Sequence, residues 1–178
     1  MLRNDIDSWG APAKLFHWVM ALLIFAQIAL GLFAVSWHVS PTKLNLFVWH
    51  KSIGMLILTL LALRLLWRLI DGTPAKQPMP RWMAAAAKLV QFALYALLIA
   101  VPATAVLGTW LEGIPVTLPG FDIAPQIAKA HGLGQLIMEI HTTLGNAILW
   151  VAGVHAAAAL FHHFYLRDEV FQSMAPGA

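Results

Sequence analysis

The sequence predicts an all-α integral membrane protein, a four-helix bundle with both termini cytoplasmic. Three observations carry that expectation. Of 178 residues, 60% are hydrophobic and 11% are charged, whereas a soluble domain carries about 25% charged residues. The mean hydropathy is +0.74. The apolar residues also fall into four runs, each near the roughly 20 residues needed to cross a bilayer. The chain reads as one transmembrane domain over residues 1–178.

The first span is expected over about 15–36, with Pro12 in its first turn. That run is too long for a signal-peptide core and lacks a clear small-x-small cleavage site. The second, about 43–69, follows Ser40 and Pro41, which read as N-cap and first helical residue. It stops at Asp71-Gly72-Thr73-Pro74. The third, about 83–107, contains Pro102, a kink signal. The fourth covers about 133–165. Residues 71–80 form a Pro-rich loop, and 112–130, with its Gly and Pro, suits a segment lying along the interface.

Charge sets the orientation. The side holding both termini carries Arg3, Lys14, Arg64, Arg68, Lys76, Arg81, Lys88 and Arg167; the other carries Lys43, Lys51 and Lys129. Eight against three is a positive-inside pattern that makes the termini cytoplasmic. Absent cysteines exclude disulfides, thiolate metal sites, iron–sulfur clusters and covalent haem attachment through C-x-x-C-H.

Histidine carries the chemistry. A titratable ring in hydrocarbon is costly unless a partner offsets it, and this chain has eight histidines. His141 and His155 stand 14 residues apart on the fourth span, about 21 Å along the axis and within about 40° of one face. By depth, His50 matches His141 in the outer leaflet and His17 matches His155 in the inner one. Two facing imidazoles at each of two depths suit two stacked bis-histidine haems, with no open iron position and hence electron transfer. Gly54, Gly145 and Gly153 stand near these ligands, where glycine permits close approach of a flat macrocycle. A helix-to-helix hydrogen bond is the ordinary role of a single membrane histidine, and two ligands per level are too few for tetrahedral zinc.

Other residues have more than one reading. His162, seven residues past His155, suits a haem propionate, a quinone or the membrane interface. His163 points elsewhere, to the interface, and His38 and His131 fall in or near outer loops. Arg64, 14 residues after His50, shares that face at the inner level. It suits haem propionates or snorkelling to headgroups. Lys43, Lys51 and Lys129 would attract an anionic substrate from outside, offset by Glu112, Asp122 and Glu139.

Together, "KLFHWVMALLIF", "VWHKSIGMLILTLLALRLLWRL" and "EIHTTLGNAILWVAGVHAAAALFHHF" resemble the bacterial cytochrome b561 family over nearly the whole chain. The resemblance implies two non-covalent b haems, with ligands falling on His17, His50, His141 and His155. It also implies ubiquinone as acceptor in the inner membrane, with superoxide as the best-supported donor. In some relatives a histidine stands about where this chain has Gln91; glutamine still bonds a quinone carbonyl.

The expectation is thus an oxidoreductase passing electrons from an outer donor such as superoxide through two haems to ubiquinone. Membrane lipid and quinone are its partners, nucleic acid is not, and a partner subunit or homodimer stays open. One rival is a haem-b anchor subunit relaying electrons between quinone and a hydrogenase or dehydrogenase; the short loops offer little surface for such a partner. A rival of another class is a metal-ion transporter using the histidines directly.

Overall fold

A computed structural model describes residues 2–5, 8–74 and 78–176. Lys76, counted in the charge argument above, lies outside the described residues. Four long helices dominate: α1 (Ala11–Ser36), α2 (Pro41–Asp71), α3 (Arg81–Leu111) and α4 (His131–Phe161). All four are long and apolar enough to cross a membrane, the last when its π-helical extension His162–Leu166 is included. Each observed helix begins two to four residues before the expected span, and α2 and α3 also end later, because polar end residues keep helical backbone while leaving hydrocarbon; α4 gives way to π-helix after Phe161.

Local sequence explains the helix ends. The Ser40 side chain accepts the Lys43 backbone N–H, and Pro41 follows at a position where a missing N–H costs nothing. Gly72 ends α2 with φ 75°, a left-handed conformation natural to glycine. Within the helices, Ser52, Thr59, Thr104, Thr109, Thr142 and Thr143 donate their hydroxyls to carbonyls one turn back. Lipid offers no partner, so polar groups must be satisfied internally.

Residues 112–130 differ from the expected interfacial segment. They hold a short antiparallel hairpin, β1 (Val116–Leu118) and β2 (Phe121–Ile123), in register Val116↔Ile123. Pro119 and Gly120, the latter at φ 88°, make its turn. Val116 is buried beneath it.

Helix α1 packs along α2 and α3 along α4, whereas α1 and α4 touch only sparsely. The two pairs meet at a small core of Met20, Ile57, Leu61, Leu98 and Ile148. Large apolar side chains such as Leu22, Leu69, Phe92, Trp150 and Phe164 face outward, the pattern of a surface whose solvent is lipid.

Both chain ends close one end of the bundle, here called the terminal end; the other is the hairpin end. Asn4 ties the N-terminal strap to α2. Its backbone N–H donates to the Asp71 carboxylate at 3.0 Å, its amide donates to the Gly72 carbonyl at 3.1 Å, and its side-chain oxygen accepts the Gly10 N–H at 2.8 Å. Trp9 N–H reaches the Ser173 carbonyl, and Trp18 indole N–H the Met174 carbonyl. After the π-turn, Arg167 adopts φ 53° and the one-turn α5 (Glu169–Gln172) folds back.

Leu61, 1% exposed at the meeting of the helix pairs, tests this core. Leu61→Ala should cost about 2–5 kcal/mol, read as a lowered midpoint of thermal unfolding in detergent.

Candidate functional site

Two histidine pairs face each other across the bundle. At the hairpin end, the His50 and His141 rings have centroids 6.4 Å apart with planes at 88°. At the terminal end, His17 and His155 are 6.1 Å apart at 77°. A metal–imidazole bond is about 2.0 Å and a ring nitrogen lies about 1.2 Å from its centroid, so two imidazoles bound in line to one metal ion have centroids about 6.4 Å apart. Both pairs fit a single metal between two rings. Among the described residues no group of three or more His, Asp or Glu side chains gathers to hold a metal ion; each level holds a pair of imidazoles.

The surroundings of each ring differ. His141 Nδ1 lies 2.9 Å from the Val101 carbonyl on α3. A carbonyl only accepts, so Nδ1 carries the proton and Nε2 is left bare, the arrangement a ligating histidine uses. His50 is seated by α1 in two ways. Gln27 donates its amide to the His50 carbonyl at 2.6 Å, and a Cβ at Gly31 would stand 2.8 Å from ring atom Cε1 of His50. Gly31 and Gln27 were not among the expected site residues. The signal was present: Gly31 is 14 residues after His17, as His155 is after His141 and Arg64 after His50. His17, His50 and His141 are half-buried and His155 is more open.

The remaining expected residues fall as follows. The space beside Gly54 is taken by the Gln27 amide, 3.2 Å from where a Cβ would sit. Gly145 and Gly153 have nothing within 4 Å of a Cβ position. His162 Nδ1 is held 2.6 Å from Asp168 Oδ2, while Asp168 Oδ1 caps α5 through the Val170 N–H. His163 packs on Phe171, ring centroids 4.8 Å apart, so it lies under α5 rather than facing the interface alone. His38 stacks on Trp37.

Arg64 and Gln91 come together. With Trp9, Trp67, Arg68 and Tyr95 they line a small cavity at the terminal end, beside the N-terminal strap. Arg64 Nη2 also lies 3.3 Å from His17 Nδ1, Arg68 donates to the Tyr95 hydroxyl at 3.3 Å, and the Trp67 indole N–H is buried without a partner. His162 does not line this cavity.

The outer lysines are less free than expected. Lys43 donates to the Val35 and Trp37 carbonyls at 3.1 and 2.9 Å, closing the C-terminus of α1. Lys51 and Asp122 of β2 both stand at the hairpin end, and the Lys129 stem lies along Gly113. His131 opens α4 rather than sitting in a loop, and its Nδ1 pairs with Glu112 Oε2 at 2.5 Å.

With this geometry in place, comparison with known proteins defines the class. The family model of prokaryotic cytochrome b561 matches residues 8–177. The chain belongs to that family, membrane-embedded electron-transfer proteins that bind haem b. It is 31% identical to cytochrome b561 homolog 2 of Escherichia coli strain K12, over 96% of this chain and 93% of the relative. It is 31% identical to the probable superoxide oxidase CybB of Yersinia pestis, over 90% and 91%. It is 29% identical to cytochrome b562 of Cereibacter sphaeroides, over 89% of each. The protein is therefore a multi-pass bacterial membrane cytochrome.

Because a side chain at residue 31 would displace the His50 ring, Gly31→Val should lower the haem bound per chain. Gly132→Ala, which meets open space, should leave it unchanged. Pyridine haemochrome absorbance per chain reads both.

Proposed function

We propose that this protein carries electrons across the bacterial inner membrane from superoxide on the outer side to ubiquinone on the inner side, through two b haems. His50 and His141 hold one haem and His17 and His155 the other. The observation that carries this reading is the pair of ring separations, 6.4 and 6.1 Å, each matched to one metal between two imidazoles. When bound, haem would supply one-electron redox chemistry, with two histidines at each level to hold it. The excess of lysine and arginine at the terminal end supports that end as the cytoplasmic one.

The chain's own residues do the rest. Val101 fixes the His141 tautomer, and Gly31 and Gln27 seat His50. Lys51 and Lys129 at the hairpin end give superoxide a local cationic surface, tempered by Asp122. At the terminal end the cavity offers donors from Arg64, Gln91 and Trp67, a set suited to a quinone carbonyl. Its volume of about 40 Å³ admits a carbonyl edge and not a whole ring. The ring therefore lies at the mouth or displaces the strap. Two superoxide ions give two molecules of oxygen and two electrons; these, with two protons drawn from the terminal side, convert quinone to quinol. The relative from Yersinia pestis named a probable superoxide oxidase supports this choice of donor.

A stopped-flow experiment on the purified protein tests it. A superoxide pulse should reduce the haem, and a soluble ubiquinone analogue should reoxidise it. Gln91→Leu should raise the quinone concentration needed about tenfold, the loss of one hydrogen bond of about 1.4 kcal/mol. His50→Ala or His141→Ala should remove the haem that superoxide reduces first. Haem inert to superoxide yet reduced by a co-purifying dehydrogenase would favour an anchor subunit instead.

A further inference from the structure

The two histidine pairs sit in opposite electrostatic surroundings. At the terminal end, the Arg64 guanidinium lies 3.3 Å from His17 Nδ1, whose ring is 6.1 Å from that of His155. Arg68 adds a second cation one turn further along α2, close enough to act on Arg64. Arg64 sits 6.0 Å above the centre of the Tyr95 ring, and no carboxylate among the described residues pairs with it. A guanidinium only donates, so His17 Nδ1 accepts in this contact and the positive charge lies directly beside that ring.

At the hairpin end the neighbours are neutral. His141 donates Nδ1–H to a carbonyl, His50 meets the Gln27 amide through its backbone, and Gly31 lies on its ring. Lys51 follows His50 in sequence but is turned about 100° around α2.

These environments push a bound iron in opposite directions. A carbonyl accepting Nδ1–H makes the imidazole a stronger donor and favours the oxidised metal. A cation in low-dielectric surroundings favours the reduced one, which carries the extra electron. We propose that Arg64 is a positioning residue for electrons: it holds the potential of the haem between His17 and His155 above that of the haem between His50 and His141. Electrons then run from the hairpin end, where the iron is oxidised, to the terminal end, where the iron is reduced. An electron moving inward travels against an inside-negative membrane potential, and a higher potential at the terminal end offsets part of that cost.

The proposal rests on the two-haem reading, and the experiment separates the two. Redox titration of the purified holoprotein should resolve two components, the higher of which is lost in His17→Ala. Arg64→Gln should lower that higher component by at least about 59 mV, tenfold in the one-electron equilibrium, and leave the lower one in place. Arg64→Lys, which keeps the charge, should retain most of the wild-type gap. Should Arg64→Gln fail to hold haem, Arg68→Gln should lower the same component by a smaller amount. An unmoved higher component in a variant with full haem content, or movement of the lower one instead, overturns the proposal. A wild-type protein without two haems overturns the reading beneath it.

Discussion

Imidazole rings facing each other across an apolar bundle, 6.1 and 6.4 Å apart, are the constraint on which the rest of the structure depends. Helices that carry such rings cannot close to ordinary packing distance at those levels. The bundle accordingly divides into α1 with α2 and α3 with α4, and the pairs join through a thin core of Met20, Ile57, Leu61, Leu98 and Ile148. A hydrophobic driving force between helices is missing in lipid, so close packing and polar contacts hold the bundle together. The histidine levels interrupt that packing, and on the proposed reading a bond from each ring to haem iron would offset the loss.

Around this constraint the polar groups serve two tasks. At the hairpin end they fix geometry: Val101 sets a tautomer, Gln27 and Gly31 set a ring position, and Glu112 with His131 joins the end of α3 to the start of α4. At the terminal end they supply charge and donors, with Arg64, Arg68, Gln91 and Trp67 gathered beside Asn4 and Trp9. A membrane that tolerates few ionisable groups thus holds a neutral setting at one level and a cationic one at the other.

Much of this was legible in the sequence, for stated physical reasons. Four apolar runs and the Ser40–Pro41 start signal suffice to find the helices, because lipid permits few alternatives. The 14-residue spacing from His141 to His155 puts two rings on one helix face, and depth alone pairs them with His50 and His17. The same spacing marks Gly31, but a glycine announces a close approach only when its neighbour is known. Gln27 and Val101 act through backbone contacts between helices, which no single-helix pattern encodes. The hairpin at 116–123 was missed because two three-residue strands fall below any periodicity signal. His163 changed its surroundings because the chain turns back after the π-turn, and helical extrapolation from His155 ends there.

On the proposed reading this chain holds two haems, each between two imidazoles. The most direct measurement is haem stoichiometry with electron paramagnetic resonance on the oxidised, detergent-purified protein. The account predicts two haem b per chain, both low-spin. With ring planes at 88° and 77°, both signals should be strongly anisotropic, because crossed axial ligands leave the iron orbitals nearly degenerate. One haem per chain, a high-spin signal from an open iron position, or a colourless protein would contradict it.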